Sequence, residues 1–219
     1  MILSKRLEKV LEMITTNKIV ADIGCDHAML PIELIKRGIS PKVYAIDNKT
    51  GPLEGAKANL IKSGIKTKVE LVLGDGLKNL PYDVELVNIA GVGGLLAIDM
   101  LKNASRIPDE LVLQVNNHID DLRRYLNQSN YEIVDEAIIY DASLYYEIIK
   151  VKIGKINNLS EEDILFGPIL RRKKEQLFID KWLIQIEHLK NILKSLNDEN
   201  QDKIREINEK IVLISNQIY

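Results

Sequence analysis

The sequence predicts an α/β domain with a mainly parallel sheet, followed by an antiparallel helical hairpin. Three observations lead to this prediction. Short apolar runs alternate with helical patterns over residues 1–154, which is typical of parallel strands joined by helices. The last two strands of this region are separated by only three residues, as in an antiparallel β-hairpin. Two apolar seams with heptad spacing follow, so we expect a Rossmann-like domain over 1–154 and a coiled-coil arm over 155–219.

Length and composition suit one full-sized globular domain with a smaller appendage. The chain has 219 residues, of which 46% are hydrophobic and 28% are charged. Its 30 basic and 32 acidic side chains nearly cancel, so any nucleic-acid surface must come from a local patch. The single cysteine, Cys25, excludes an internal disulfide and a cysteine-based zinc site. The three histidines lack metal-ligand spacing, and we expect no bound metal.

The sequence contains no recognisable targeting or membrane segment. The first residues, MILSKRLEKVLEM, are amphipathic and mixed in charge, without an apolar signal core. No run of the chain approaches the ~18 apolar residues that a membrane span needs. We therefore expect a cytoplasmic protein without a membrane partner. We also expect it to act as a monomer.

The elements of the first domain follow one another in regular order. A leading helix over 4–14, with Ser4 as its N-cap, precedes strands that alternate with helices. The predicted strands cover residues 19–23, 43–46, 69–73, 85–90, 111–114, 131–140 and 144–151. A sheet that stays parallel until a terminal hairpin inserts one reversed strand is typical of Rossmann-like methyltransferases. Nicotinamide dehydrogenase domains, by contrast, normally finish parallel.

The turn after the first strand is where we expect a ligand to bind. Residues 22–31 read DIGCDHAMLP, and Gly24 lets a ligand approach the backbone closely. The dinucleotide fingerprint is absent, because Asp26 and Met29 stand where its later glycines would be. An acidic loop suits a cofactor with a positive centre, such as S-adenosylmethionine with its sulfonium and amino groups. Asp22 can accept from that amino group while Gly24 leaves room for the amino-acid tail; a tight structural turn is the alternative.

Two further carboxylates follow strands at the same edge of the predicted sheet. Asp47 ends the second strand about twenty residues beyond the glycine turn, where a carboxylate accepts both ribose hydroxyls of a nucleoside cofactor. A helix cap or a solvated turn is the alternative. After the third strand, Asp75 can accept from an adenine amino group beside Gly76, while Leu77 packs on the ring. Asp75 can also be a simple turn residue.

A glycine-rich turn follows the fourth strand and is expected to face the transferred group. Ala90 and Gly91 border the cofactor in this interpretation, and Gly93 and Gly94 let a flat base slide over the loop. Tight packing of the next helix on the sheet is the alternative explanation for the glycines. The polar-Pro-Pro-aromatic motif of many amino-methylating enzymes is absent from this turn.

The end of the fifth strand offers two amide side chains. Gln114 and Asn116 can donate to or accept from a base edge, and either can equally cap the following helix. His118 in the same segment is expected on the surface.

The composition changes after Gly154, where residues 155–158 read as a short linker. Residues 160–163 have the form of a capping box, and two heptad seams separated by a polar turn over 197–202 predict the helical hairpin. Trp182 lies on the first seam and is expected in the core of the arm. Four cations at the root of the arm can hold RNA phosphates or can be an ordinary solvated face; these are Arg171, Arg172, Lys173 and Lys174.

Several of these stretches together resemble one known family. They are LSKRL (3–7), DIGCDHAMLP (22–31), GDGL (74–77), AGVGG (90–94), LVLQVNN (111–117), YYEII (145–149) and FGPIL (166–170). They resemble the bacterial TrmK family of tRNA adenine-N1-methyltransferases, which methylate adenosine 22 of tRNA with S-adenosylmethionine. The resemblance implies a Rossmann-like class I S-adenosylmethionine-dependent methyltransferase domain with a C-terminal coiled-coil arm that helps bind tRNA.

The chain departs from the family's pattern near the site. The family usually has Ser, Tyr, Met and Pro where this chain has Cys25, Met29, Val92 and Val115, and usually Glu where Asp47 stands. The substitution at Asp47 retains a carboxylate for the ribose. The changes at Met29 and Val115 fall where the family builds the pocket of the target base.

The expected reaction is a direct transfer of the methyl group to N1 of adenine. N1 has an available lone pair, so the rate depends mainly on alignment of N1, methyl and sulfur. Asp26 is the candidate that stabilises the positive product, and His27 can orient Asp26 or the base. A small-molecule methyltransferase with a dimerising helical hairpin is one alternative. A tRNA-binding protein that has lost activity is another.

Overall fold

A computed structural model describes residues 2–65, 67–154, 158–197 and 200–219. Its seven-stranded sheet has the order β3-β2-β1-β4-β5-β7-β6. The strands are β1 (Val20–Ile23), β2 (Val43–Asp47), β3 (Val69–Leu73), β4 (Leu86–Val92), β5 (Glu110–Val115), β6 (Tyr131–Asp141) and β7 (Leu144–Ile153). Strands β1 to β5 are parallel to one another, and β7 runs antiparallel to both β5 and β6. The predicted reversed strand is confirmed.

The helices lie between and after the strands as the sequence predicts. They are α1 (Lys5–Met13), α2 (Met29–Lys36), α3 (Thr50–Ser63), α4 (Gly94–Lys102), α5 (Ile119–Gln128), α6 (Glu161–Phe166), α7 (Leu170–Lys173), α8 (Gln176–Lys194) and α9 (Gln201–Ile218). A single 3₁₀ turn, Asp26–Ala28, precedes α2. Helix α2 therefore follows directly on an irregular turn.

Strand β1 lies at the point where the strand order reverses. It pairs with β2 on one side and with β4 on the other. The chain passes from β1 through β2 to β3, then returns across the sheet to β4. In open α/β sheets, the crevice at the carboxyl ends of two such strands is where ligands bind.

Apolar clusters cover both faces of the sheet. Along β1, Ala21 and Ile23 belong to one cluster and Val20 to the other, as the alternation of strand side chains requires. The remaining residue of the strand, Asp22, shares the face of Val20 and is also buried. A strand buried on both faces is normally apolar throughout, so this carboxylate needs a functional reason.

Helix α1 precedes the first strand in the chain and packs against the sheet. The Ser4 hydroxyl accepts the Leu7 N–H at 3.3 Å and caps the helix, as predicted. Val10 and Leu11 on its inner face are buried in the same apolar cluster as Val20. The helix contacts β6 and β7, so it covers the reversed end of the sheet.

The helices after the sheet form a third apolar cluster. Its buried residues include Phe178, Trp182 and Ile186 on α8, and Ile207 and Ile214 on α9. The centroids of the Trp182 and Phe166 rings lie 4.6 Å apart. Trp182 is buried in this cluster, which confirms the prediction that it is part of a core. Ile138 of β6 belongs to the same cluster, so the helices are packed on the sheet as well as on each other.

A buried group of charges joins these helices to the sheet. Arg123 of α5 is fully buried, and its guanidinium lies 2.7 Å from Glu136 Oε1 and 2.5 Å from Glu147 Oε2. Lys181 of α8 pairs with the other oxygen of Glu147. Burial disfavours a charged Glu147, but Lys181 and Arg123 outweigh it and lower the pKa of this carboxyl to about 2. The charges therefore connect α5, β6, β7 and α8.

Parts of the predicted connections lie outside the described residues. These are residues 155–157 of the predicted linker, next to the predicted domain boundary, and residues 198–199 of the polar turn. The predicted capping box at the start of α6 is present, with Ser160 and Asp163 bonded reciprocally. In the described ranges, none of the helices has the length and apolarity to cross a membrane.

Candidate active site

In the loop after β1, the first two backbone N–H groups are hydrogen-bonded to the neighbouring strand β2. The N–H groups of Gly24 and Cys25 both donate to the carbonyl oxygen of Ile46, at 2.8 and 3.3 Å. Gly24 has a φ of 72°, a left-handed conformation that glycine adopts without steric cost. Burial raises the pKa of the Cys25 thiol to about 12, so this thiol is not a nucleophile. The carboxylates of the loop are therefore its chemically useful groups.

Three consecutive residues of this loop have left-handed backbone conformations. The φ angles of Asp26, His27 and Ala28 are 25°, 57° and 55°. Such conformations cost about 1–3 kcal/mol each and persist only where the surroundings hold them. The His27 ring packs on Gly55 of α3, where a Cβ would overlap it, and Asn59 donates to the His27 carbonyl oxygen at 3.0 Å. Helix α3 therefore holds the loop in its strained shape.

The two predicted catalytic residues are adjacent and accessible. His27 Nε2 lies 3.5 Å from Asp26 Oδ1. The Asp26 side chain is 84% exposed and the His27 side chain 55% exposed. Both groups are thus open to an incoming substrate.

Asp22 is a buried carboxylate with an unusual environment. Asn88 Nδ2 donates to its Oδ1 at 2.7 Å, while Asn88 Oδ1 is buried without a hydrogen-bond partner in the described structure. Burial raises the pKa of Asp22 to about 7; the Asn88 hydrogen bond opposes this shift and the charge of Asp47 adds to it. A positive group placed beside Asp22 would stabilise the ionised form.

A cavity opens at the switch point between β1 and β4. Its volume is about 230 Å³. Its lining includes several predicted site residues, namely Asp22, Gly24, Asp26, Ala90 and Gly91. Arg6, Leu7, Cys25, Met29, Leu30 and Val92 complete the lining. The structure therefore brings the predicted loop carboxylates and the end of β4 together around one cavity.

The other predicted cofactor residues lie at the ends of the next strands. Asp47 ends β2 half-buried, and its Oδ1 accepts the Lys49 N–H at 2.9 Å. Asp75 follows β3, is exposed, and pairs with Lys78 at 2.5 Å. Gly76 is buried beside it with a φ of 59°. The prediction that the Leu77 side chain packs on the adenine ring is wrong. This side chain lies in the core, where it is only 1% exposed and offers no surface to the ring.

Gly91 forms a bulge near the end of β4, so the strand continues to Val92 and does not stop at Ala90 as predicted. The φ of Gly91 is 82°. Its N–H donates to Gln114 Oε1 at 3.0 Å, and its carbonyl oxygen accepts from Asn116 Nδ2 at 2.9 Å. Gln114 is fully buried and also donates to Asn116 at 3.2 Å. In this structure the two amides position the Gly91 loop, and Gln114 presents no free edge to a base.

The next two glycines face the loop after β5. The Gly94 N–H donates to the Asn117 side chain and carbonyl oxygen, both at 3.2 Å. A Cβ on Gly94 would lie 2.5 Å from the His118 carbonyl oxygen, and one on Gly93 would lie 3.2 Å from Asn117 Oδ1. Tight packing therefore explains Gly94, whereas Gly93 is less closely confined. His118 is exposed, as predicted.

Three of the four predicted phosphate-binding cations line a separate groove of about 1110 Å³ at the root of the arm, namely Arg171, Arg172 and Lys174. Arg171 is half-buried and bonds Asp163 Oδ1 at 2.9 Å and Gln217 Oε1 at 3.0 Å. Lys173 lies 3.5 Å from Asp135 Oδ1. The exposed members of the group are Arg172, Lys173 and Lys174. Arg171 therefore has a structural role whatever else it binds.

Sequence reasoning missed three residues of the site. Arg6 lines the cavity from α1, and no pattern in the leading helix distinguishes it from its neighbours. Asn88 is a polar residue inside the apolar fourth strand, which was an available signal. Asn117 was passed over beside Asn116, and only the packing of Gly94 reveals its contact.

The fold and the site define a Rossmann-like, S-adenosylmethionine-dependent methyltransferase class. The reversed β7 strand, the acidic loop and the absent dinucleotide fingerprint distinguish this class from nicotinamide enzymes. A family model described as TrmK, tRNA (adenine(22)-N(1))-methyltransferase, matches residues 20–216. The chain belongs to this family.

Individual relatives are similar along their whole length. The tRNA (adenine(22)-N(1))-methyltransferase of Bacillus subtilis (strain 168) is 29% identical over 230 residues, which cover 99% of this chain and 97% of that protein. The crystal structure of Streptococcus pneumoniae Sp1610 in complex with S-adenosyl-L-methionine has a TM-score of 0.89 and 33% identity, with 100% of both chains covered. M. capricolum TrmK in complex with S-adenosyl-homocysteine has a TM-score of 0.89 and 32% identity, covering 100% of this chain and 98% of that one.

Proposed function

We propose that this protein transfers the methyl group of S-adenosylmethionine to N1 of adenosine 22 in tRNA. The observation that carries the proposal is the buried Asp22 in a cavity at the β1–β4 switch point, beside the bulged Gly91, in a chain of the TrmK family. A buried carboxylate with only an amide partner suits a ligand that brings its own positive charge. The protein works as a cytoplasmic monomer.

The cofactor site follows the ends of four neighbouring strands. Asp22 accepts a hydrogen bond from the amino group, and Gly24 leaves room for the amino-acid tail. Asp47 accepts the ribose hydroxyls. Asp75 and Gly76 border the adenine, and Ala90 and Gly91 border the transferred group. The chemistry that the cofactor supplies is a methyl group activated by a sulfonium.

The residues of the chain position the base and balance its charge. N1 of neutral adenine has a free lone pair, so no general base is required and alignment dominates the rate. The exposed Asp26, backed by His27, lies at the mouth of the cavity and stabilises the positive charge that develops on the adenine. Gly93 lets the base approach the loop that Asn116 and Gln114 hold. N1 lies on the Watson-Crick edge, so the adenosine must leave its pairing partner, at a cost of a few kcal/mol.

The arm supplies tRNA contacts that offset this cost. Residues 155–219 act as a binding arm attached to the catalytic domain at 1–154. Arg172, Lys173 and Lys174 at its root are exposed and contact phosphates, while Arg171 holds the connection to α9 and adds charge. The net charge of −2 means that binding depends on this patch and not on the overall field.

The test uses two unmodified tRNAs that differ only in having adenosine or guanosine at position 22. Both are incubated with the protein and methyl-labelled S-adenosylmethionine, and the labelled nucleoside is identified and mapped. We expect N1-methyladenosine at position 22 of the first tRNA and no label in the second. Cofactor binding without label in either tRNA would contradict the proposal and favour a small-molecule substrate.

A further inference from the structure

The β6–β7 hairpin extends past the carboxyl edge of the parallel strands. Strand β5 pairs with β7 only as far as Gln114, which lies opposite Ile148. The two hairpin strands stay paired beyond this point, up to Asp141 and Leu144. Four further residues of β7, at ~3.4 Å per residue, carry the hairpin about 14 Å past its pairing with β5. The hairpin tip (residues 140–145) therefore projects beyond the edge of the sheet at which the cofactor cavity opens.

The hairpin tip is held in a fixed position next to that cavity. Its turn has only two residues, Ala142 and Ser143, with left-handed φ angles of 46° and 65°, the geometry of a tight hairpin. Asp141 Oδ2 accepts the backbone N–H of Arg6 at 3.0 Å, and Arg6 lines the cavity. The tip is thus tied to the helix that borders the cavity, so a side chain on the tip has a defined position relative to the site.

One face of the hairpin tip consists of two aromatic rings. Tyr140 and Tyr145 lie opposite each other in the register of β6 and β7, with ring centroids 4.8 Å apart and ring planes tilted by 48°. Tyr145 is half-buried against the apolar cluster of α8 and α9. Tyr140 is 43% exposed. Tyr145 therefore supports its neighbour, and Tyr140 presents aromatic surface to the solvent.

This aromatic surface suits a flat, neutral group better than a charged one. Burial raises the pKa of the Tyr145 phenol, and Asp180 of α8 and the neighbouring Tyr140 add to the shift, so the ring stays neutral. The negative charge of Asp180 disfavours a phosphate at this face. Neither tyrosine hydroxyl bonds to another residue in the described ranges, so both are free to meet a ligand. A nucleobase has the matching aromatic face, and it stacks on such side chains whatever its identity.

The proposed reaction creates a need for a surface of this kind. The adenosine must leave its stack to present N1, and its neighbours in the RNA then lose the stacking that it provided. A tyrosine ring fixed next to the site can replace this lost stacking. We propose that Tyr140 stacks on a nucleobase that flanks the flipped adenosine, while Tyr145 supports the Tyr140 ring. This inference rests on the proposed function, because it takes RNA as the substrate.

The first test measures tRNA binding in the presence of S-adenosylhomocysteine, which has no methyl group to transfer. Tyr140→Leu keeps an apolar side chain but removes the ring, and should raise the Kd for tRNA by about fivefold or more. Tyr140→Phe keeps the ring and should stay within about twofold of the wild type. The Kd for S-adenosylmethionine alone should not change in either variant, which also shows that both are folded.

The second test reports on stacking itself. The fluorescent base 2-aminopurine, whose emission is quenched when it stacks, replaces in turn the nucleotide on each side of adenosine 22. One of the two probes should stay quenched in the complex with the wild-type protein and become brighter with Tyr140→Leu. Tyr82→Leu is the matched control, since Tyr82 is 91% exposed, lies beside Arg106 and precedes β4 at the opposite edge of the sheet. This variant should behave like the wild type in both tests.

Other outcomes would overturn the inference. An unchanged Kd for tRNA in Tyr140→Leu would show that the ring does not contact the RNA; methylation at the wild-type rate would then leave the proposed function intact. An equal loss in Tyr140→Phe would assign the contact to the hydroxyl. Weaker tRNA binding without a change in either probe would place the contact away from the flipped adenosine. A changed oligomeric state in Tyr140→Leu would assign the ring to a contact between copies of this chain. Failure of the wild-type protein to bind tRNA would contradict the proposed function itself.

Discussion

Asn88 and Asp22 stand opposite each other in the parallel register of β4 and β1, and the asparagine amide donates to the carboxylate at 2.7 Å. Both side chains are buried at the centre of the sheet. One neutral donor cannot offset the loss of water around a carboxylate, and burial raises the pKa of Asp22 to about 7. The ionisation of Asp22 is therefore available for control by a bound ligand.

Cofactor binding should depend on pH through Asp22. Below pH 7 the empty site holds a proton on Asp22, and this proton must leave when a cofactor ammonium binds. The Kd for S-adenosylmethionine should therefore rise by up to about tenfold for each pH unit below 7. Calorimetry between pH 5.5 and about 7.5 measures this, and Asp22→Asn should bind weakly with no such slope. A constant Kd for the wild type would contradict the assignment.

Asp26 should matter for turnover more than for cofactor binding. Replacing it by Asn keeps a residue that tolerates its φ of 25° but removes the charge. We expect Asp26→Asn and Asp26→Ala to lower kcat by about 10²-fold or more, since they remove electrostatic stabilisation of the charged adenine. The Kd for S-adenosylmethionine should change little. Normal turnover in both variants would remove Asp26 from the mechanism.

Gly91 should not tolerate even one added carbon. A Cβ there would press on Arg6 Nη1 at 3.3 Å, and the φ of 82° disfavours any L side chain. Gly91→Ala should lower kcat/KM at least about tenfold by shifting the loop. Gly51→Ala is the matched control, because a Cβ at Gly51 meets nothing within 4 Å. Steady-state assays that found both variants equal to the wild type would show that the loop is not finely positioned.

The stability of the protein in acid should depend on Lys181. The folded-state pKa of Glu147, about 2, is below its ordinary value of 4.5, so its ionisation stabilises the fold above pH 4.5 and this contribution is lost as the pH falls towards 2. Lys181→Met removes one of its two cations. The free energy of unfolding at pH 7 should fall by about 1–3 kcal/mol, and acid unfolding should begin at a higher pH.

Denaturant titrations at several pH values measure this effect. Lys190→Met removes an exposed charge from the same helix and should leave both quantities near wild type. A Lys181→Met variant that unfolds in acid like the wild type would show that Arg123 alone keeps Glu147 ionised.

The sequence was informative where local patterns determine structure. The alternation of apolar runs and helical patterns predicted a Rossmann-like sheet, and the short connection before the last strand predicted the hairpin with one reversed strand. Asp22, Asp47 and Asp75 were identified because each lies at or close to the carboxyl end of a strand, and parallel strands end at one edge. The roles of these residues stay predictions until binding is measured.

The errors arose where packing between distant segments of the chain determines the position of a side chain. Leu77 lies in a turn by sequence, but its side chain points into the core. Gln114 was predicted to contact a base edge or to cap a helix, yet its buried amide accepts from the Gly91 N–H and donates to Asn116. Arg6 enters the site from a helix more than eighty residues away from Gly91 in the chain. No periodicity or spacing encodes these contacts.

The central claim is that N1 of adenosine 22 receives the methyl group. The most direct measurement uses a tRNA assembled with 1-deazaadenosine at position 22, in which a carbon replaces N1, beside the same tRNA with adenosine. We expect the adenosine tRNA to take up label from methyl-labelled S-adenosylmethionine, and the 1-deazaadenosine tRNA to take up none while it competes for binding. Label in the 1-deazaadenosine tRNA would contradict the account, because another atom would then be the acceptor.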